Sequence, residues 1–215
     1  MRNEVYSKVF MWLFIGLAVT FGTGYFLSLN ETMVQNLFSG GSVFIILIVE
    51  IGIALFFGLR VAKMSKITAM ICYLVYCFVT GLTFSTLFIA YEMTSIISVF
   101  AITSLLFLIF AVYGKLTKRD LSSLGTFLFM ALLGVIIASI LGIFIQSSTL
   151  VIVINVVTIV VFLGYIAYDI KVIEQLCNQI GEDNVAIYGA FQLYLDFINV
   201  FITLLQMFGD YNNND

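Results

Sequence analysis

Three carboxylates stand where the chain offers no water. Glu50, Asp169 and Asp196 each fall within, or at the edge of, a long apolar run. On insertion scales an ionised carboxylate at the middle of a membrane span costs about 2.5–3.5 kcal/mol. Such a residue therefore faces a protein interior or a water-filled cavity. Two chemistries follow. The carboxyl keeps its proton and bonds a neighbouring helix as packing glue, or it exchanges protons and meets cations along a polar path. Around Asp196 the pattern extends to Gln192, Asn199, Thr203 and Gln206, at steps of 4, 3, 4 and 3 residues, which is one face of an α-helix. A polar stripe of about four turns cannot face lipid without leaving several groups unsatisfied. It lines a polar path or joins an interhelical network, and the aspartate in it favours the path.

Asp169 follows Tyr168 at the end of the preceding apolar run. In the last turn of a helix, the dipole disfavours negative charge. Taken alone, Asp169 reads equally well as an interfacial residue. Beside Asp196, however, it would make two carboxylates sharing one site and one proton. That is a proton-responsive unit in a chain with no histidine. Counting from the outer ends of their spans, Asp169 lies about 28 Å deep and Asp196 about 18 Å deep. Contact then requires one span to begin deeper, or the other to tilt or extend outward. Arg60, ten residues after Glu50, reads as a snorkelling anchor or as a latch that reaches a carboxylate and shuts the inner mouth.

Other chemistries are excluded or unsupported. Lack of histidine removes imidazole-zinc sites, Ser-His dyads and imidazole relays. Cys72, Cys77 and Cys177 give neither a paired framework nor metal spacing, and the first two read as small core residues. No basic tract suggests nucleic acid. The chain is not expected to be an enzyme or to carry a cofactor.

The elements that would hold these residues are membrane spans. Of 215 residues, 62% are hydrophobic and 10% charged, with a mean hydropathy of +1.16, whereas a soluble domain carries about 25% charged residues. Runs of ~17–25 apolar residues predict seven spans in one domain, 1–215, near 9–29, 43–60, 67–90, 95–114, 121–144, 150–169 and 186–208. The run from Val9 to Leu29 is too long for a signal core and no small-residue cleavage site follows it, so it reads as a retained first span. Connections are short and polar, such as Asn30-Glu31-Thr32, apart from a longer one over 170–185. With no proline, any kink depends on glycine or an inserted polar group. All nine basic residues fall on one side of this arrangement: Arg2, Lys8, Arg60, Lys63, Lys66, Lys115, Lys118, Arg119 and Lys171. The other side holds Glu31, Glu92, Asp210 and Asp215. This segregation predicts a cytoplasmic N-terminus and an extracytoplasmic C-terminus, and adding or removing a span would scramble it.

The stretch Ala190–Leu205 (AFQLYLDFINVFITLL) resembles the closing signature of the Bax inhibitor-1 family, with LYLDFIN as its most specific part. Gly164–Lys171 (GYIAYDIK), Thr117–Gly125 (TKRDLSSLG) and Gly81–Ser85 (GLTFS) resemble further family segments, Glu50 fits as well, and the length is similar to that of the compact bacterial members. The resemblance implies an all-α polytopic fold of seven transmembrane helices, the C-terminal helix enclosed by the other six. It also implies a pH-sensitive calcium leak in the bacterial inner (plasma) membrane. By motif, Asp169 and Asp196 would form its di-aspartyl sensor and hold calcium in transit, since carboxylate oxygens suit a hard cation. Glu50, Gln192, Asn199 and Thr203 would lie along the path. The family's latch arginine has no match of the same spacing; Arg60 stands nearest to it. The expected partners are calcium ions, protons and the bilayer, together with a possible membrane-protein partner. Two alternatives stay open: a regulatory protein of the stress or cell-death-suppressing kind, or one that modulates a membrane protease; and a proton-coupled calcium antiporter. An intramembrane aspartyl protease is disfavoured, because Asp196 sits in Tyr-Leu-Asp-Phe without flanking glycine and there is no proline for that family's loop.

Overall fold

A chain surrounded by hydrocarbon must satisfy its own backbone, and the helix does so within one segment. The structure, a computed structural model, describes residues 2–177 and 181–212. Its helices are α1 (Arg2–Ser28), α2 (Glu31–Leu37), α3 (Ser42–Arg60), α4 (Lys66–Ala90), α5 (Met93–Leu116), α6 (Ser122–Ile145), α7 (Ser148–Leu176) and α8 (Glu182–Phe208). A single 3-10 turn, Val61–Lys63, leads into α4. All but α2 are long and apolar enough to cross a membrane. The protein is thus all-α with seven candidate spans, as the hydropathy pattern predicts.

The ends of the elements differ from expectation in instructive ways. α7 continues past residue 169 to Leu176 and α8 begins at Glu182, so the long connection expected over 170–185 contracts, with 178–180 outside the described residues. A hydropathy window stops at Lys171 and Glu174, but the buried face of the helix goes on through Ile170 and Ile173. Asp169 consequently sits about two turns inside α7, away from the last turn, where the helix dipole disfavours negative charge. The Asn30-Glu31-Thr32 connection holds the first turn of α2. Asn30 caps this helix by accepting from the Met33 N–H at 3.0 Å, and Val34 is buried beneath it. Asp215, counted among the outer acids, lies outside the described residues.

By their internal contacts the residues group into two compact units. One comprises Met1–Met93, Leu176–Tyr194 and Asp210–Asp215; the other comprises Thr94–Gln175 and Leu195–Gly209. α8 gives its first half to one and its second half to the other. In the first unit α1 and α4 lie close together. Tyr73 occupies the space beside Gly16 and donates to the Trp12 carbonyl at 2.9 Å, while Phe21 packs on Phe84 and Phe88.

Both ends of this unit are fastened by polar contacts. At one, Asp183 of α8 meets Lys8 of α1 at 3.2 Å and Lys66 of α4 at 2.9 Å. Asn184 donates to the Met64 carbonyl at 2.9 Å. At the other, the C-terminal segment lies antiparallel to the α4–α5 turn through a bridge between Tyr91 and Tyr211. The Glu92 N–H donates to the Asp210 carbonyl and the Asn212 N–H to the Ala90 carbonyl, both at 2.9 Å. The two tyrosine rings stack with centroids 4.5 Å apart and their hydroxyls are 3.0 Å apart. The start of α1, the α3–α4 turn and the start of α8 thus share one end, with the α4–α5 turn and the tail at the other.

Candidate functional site

The second unit brings two carboxylates together. Asp169 on α7 and Asp196 on α8 are 5% and 4% exposed, and among the described residues they are the buried acids. Their carboxyl groups come within hydrogen-bonding reach of each other. Ionised carboxylates only accept, so a hydrogen bond between them needs one of the pair to carry a proton and donate it. Asp196 Oδ2 is buried without a partner. An oxygen left so in a dry interior is costly and can take a proton, a water or a cation. Tyr165, one turn before Asp169, lies within electrostatic reach of both acids.

Backbone proximity sets Asp169. Gly114 of α5 packs directly on the Ala167 backbone, where an added Cβ would come within 2.5 Å of the Ala167 carbonyl oxygen. Gly125 of α6 accommodates the Tyr168 ring, which a Cβ there would overlap. Two glycines on two helices therefore clasp α7 immediately before the acid. On α8 the neighbour of Asp196, Phe197, packs against Phe100 and Phe107 of α5 at 5.3 and 5.8 Å. The depths differ as expected: Asp169 is about 32 Å from the start of α7 and Asp196 about 18 Å from the end of α8. The helices meet offset along their axes by roughly 14 Å, as their lengths of 29 and 27 residues permit.

The rest of the predicted set is dispersed. Asn199 donates to the Leu195 carbonyl and Thr203 to the Asn199 carbonyl, both at 2.7 Å, so each spends a donor on its own helix. Gln192 is half-buried and Gln206 exposed. Glu50, half-buried on α3 in the first unit, accepts from the Thr83 hydroxyl at 2.7 Å. Arg60 is exposed and is not among the ion pairs that Lys8, Lys66 and Lys171 make. Among the described residues no three His, Cys, Asp or Glu side chains gather as a metal cluster.

One polar cluster escaped the sequence reading. Thr20 of α1, fully buried, donates to the Cys77 carbonyl at 2.9 Å and lies 2.6 Å from the Tyr194 hydroxyl. Because its own proton goes to Cys77, the Tyr194 phenol is the donor in that second bond. Thr80 Oγ1 beside it is buried without a partner. No spacing rule could have found the cluster, since its members come from three helices. Outside the spans, the Ser122 backbone N–H and hydroxyl hold the Asp120 carboxyl below its usual range. Burial, and then the facing Tyr211 phenol, push the Tyr91 phenol up.

Comparison with known proteins gives a consistent result. A family model described as "Inhibitor of apoptosis-promoting Bax1", of the Bax inhibitor-1 family, matches residues 2–214. A protein of Borreliella burgdorferi is 35% identical, with 99% of this chain and 94% of the relative aligned. The "Inner membrane protein YbhL" of Escherichia coli K12 is 34% identical over 95% of this chain and 90% of its own. A Rickettsia prowazekii protein is 38% identical over 94% and 88%.

Proposed function

The chain belongs to the Bax inhibitor-1 family of multi-pass membrane proteins, and from that premise we propose that it is a proton-gated leak for calcium ions across the bacterial inner membrane. The carrying observation is the approach of the buried Asp169 and Asp196 carboxyls to within hydrogen-bonding reach, with Asp196 Oδ2 unpartnered. While one proton is shared, the contact is cohesive. Once it leaves, two negative charges face each other, and at about 4 Å with an effective dielectric of 20 they repel by about 4 kcal/mol. That exceeds the strength of an ordinary hydrogen bond in a membrane protein, so the acids part and expose oxygens that suit a passing Ca²⁺. Calcium is cargo in this reading. Glu50, Gln192, Asn199 and Thr203 are assigned to the ion's route, and Arg60 to the latch at its inner mouth.

The orientation belongs to the same proposal. The end that carries Lys8, Lys66 and Arg60 faces the cytoplasm, and the tail bridged to Tyr91 faces outward. Segregation of the basic residues supports this. Reconstitution into liposomes loaded with a calcium-sensitive dye tests the function. The wild type is expected to pass Ca²⁺ at a rate that changes with pH, and Asp169→Asn and Asp196→Asn to lose that pH dependence. Unaltered pH-dependent flux in both variants would refute the gate. Flux that follows an imposed proton gradient would identify an antiporter instead.

A further inference from the structure

An apolar crevice of about 620 Å³ runs along the first unit, walled by α1 (Ala18, Gly22, Phe26), α2 (Met33, Leu37) and α4 (Phe78). It belongs neither to the aspartate pair nor to the Thr20 cluster. Its α1 residues extend from Ala18 to Leu27, about 13 Å along the helix axis. It therefore reaches from the middle of the span to its end, close to the ~15 Å depth of one leaflet of a ~30 Å hydrocarbon core. α2 closes the shallow end. It turns Met33 and Leu37 to the crevice while Glu31, Thr32, Gln35 and Asn36 are exposed, the arrangement of a helix lying at headgroup level. Phe26, Met33 and Phe78 are 72%, 54% and 50% exposed, so the crevice opens sideways.

We propose that this crevice holds one acyl chain of a bilayer phospholipid, its headgroup resting beside α2. Water is a poor occupant, because an ordered water needs two to four polar partners and the lining offers only the Thr23 hydroxyl among apolar side chains. A single flexible hydrocarbon chain matches it in length and polarity. The proposal is independent of the leak reading and holds whether or not calcium crosses.

Gly22 supplies the test. A Cβ added there meets nothing within 4 Å, so Gly22→Leu can build its side chain into the crevice from an open position. Gly134 on α6 is equally open, and Gly134→Leu is the matched control. The full chain, purified in detergent, is incubated with phosphatidylethanolamine and examined by native mass spectrometry. The wild type and Gly134→Leu are expected to keep one phospholipid per protein through detergent exchange, and Gly22→Leu to lose at least tenfold in occupancy. Ala18→Leu, which fills the deep end, should act alike. Equal retention in Gly22→Leu and the control, or a wild type that keeps no phospholipid, would overturn the proposal. Thermal unfolding of each variant shows whether any loss follows from misfolding, and Ala18→Leu decides the matter should Gly22→Leu prove unstable.

Discussion

Thr20→Val is expected to be mild alone and severe in company. In the native protein the Tyr194 phenol donates to Thr20 Oγ1, which itself donates to the Cys77 carbonyl. Valine keeps the shape and removes both bonds; with the phenol's bond remade elsewhere, the net loss is about 0.5–1.5 kcal/mol, the usual worth of one hydrogen bond. The phenol is not stranded, because the buried Thr80 Oγ1 stands beside it with no partner of its own and can accept. Thr80→Val alone removes a hydroxyl that makes no bond and is expected to be neutral or slightly stabilising. In Thr20→Val/Thr80→Val the buried Tyr194 hydroxyl keeps only the weakly accepting Cys77 sulfur within reach, which adds about 1–3 kcal/mol. The double variant should therefore exceed the sum of the singles by at least about 1 kcal/mol, and adding Tyr194→Phe should recover most of the excess. The measurement is equilibrium unfolding in micelles, followed by the fluorescence of Trp12, the single tryptophan. Additivity within about 0.5 kcal/mol, as expected for independent sites, would show that the three groups do not act together and would refute the reasoning.

Two more outcomes follow from the packing. Gly125→Ala places a methyl group in the Tyr168 ring and should cost about 1–3 kcal/mol by overpacking; Tyr168→Ala in the same chain should restore much of the loss, as thermal unfolding would show. The tail bridge should loosen in alkali: the Tyr91 phenol is raised in the folded state, so the folded protein holds more protons than the unfolded one above the ordinary phenol range near 10, and stability falls as pH rises through it. Carboxypeptidase release of the C-terminal residues should accelerate over that interval in the wild type, and a Tyr91→Phe protein with the same pH profile would contradict the assignment.

The spans were legible because hydrocarbon imposes one rule on every residue of a segment, and a run such as Ile143–Ile145 follows it whatever its neighbours are. Local helix geometry also made the stripe through Asp196 visible. Spacing reveals a face, though, and not what that face bonds: Asn199 and Thr203 turned out to bond their own helix. Where polar residues interrupt a buried face, as Lys171 does between Ile170 and Ile173, a hydropathy window ends a helix too soon. α2 was hidden by its brevity, seven residues held by the Asn30 cap and by packing against α1 and α4. The meeting of Asp169 with Asp196 depends on an axial offset that no one-dimensional pattern encodes. Thr20 and Tyr194 are 174 residues apart, beyond the reach of any local signal.

That distance governs how the molecule is made. A ribosome finishes α1 long before α8 exists, so Thr20 and Lys8 wait through nearly the whole of synthesis for Tyr194 and Asp183. The tail that bridges to Tyr91 is still inside the exit tunnel when the other spans have reached the bilayer. Pairing across such separations is slow, and an exposed, half-finished intermediate is prone to wrong partners. A chain cut short before α8 lacks the piece that ties its first helix down, and one cut between Asp169 and α8 keeps that acid without its neighbour Asp196.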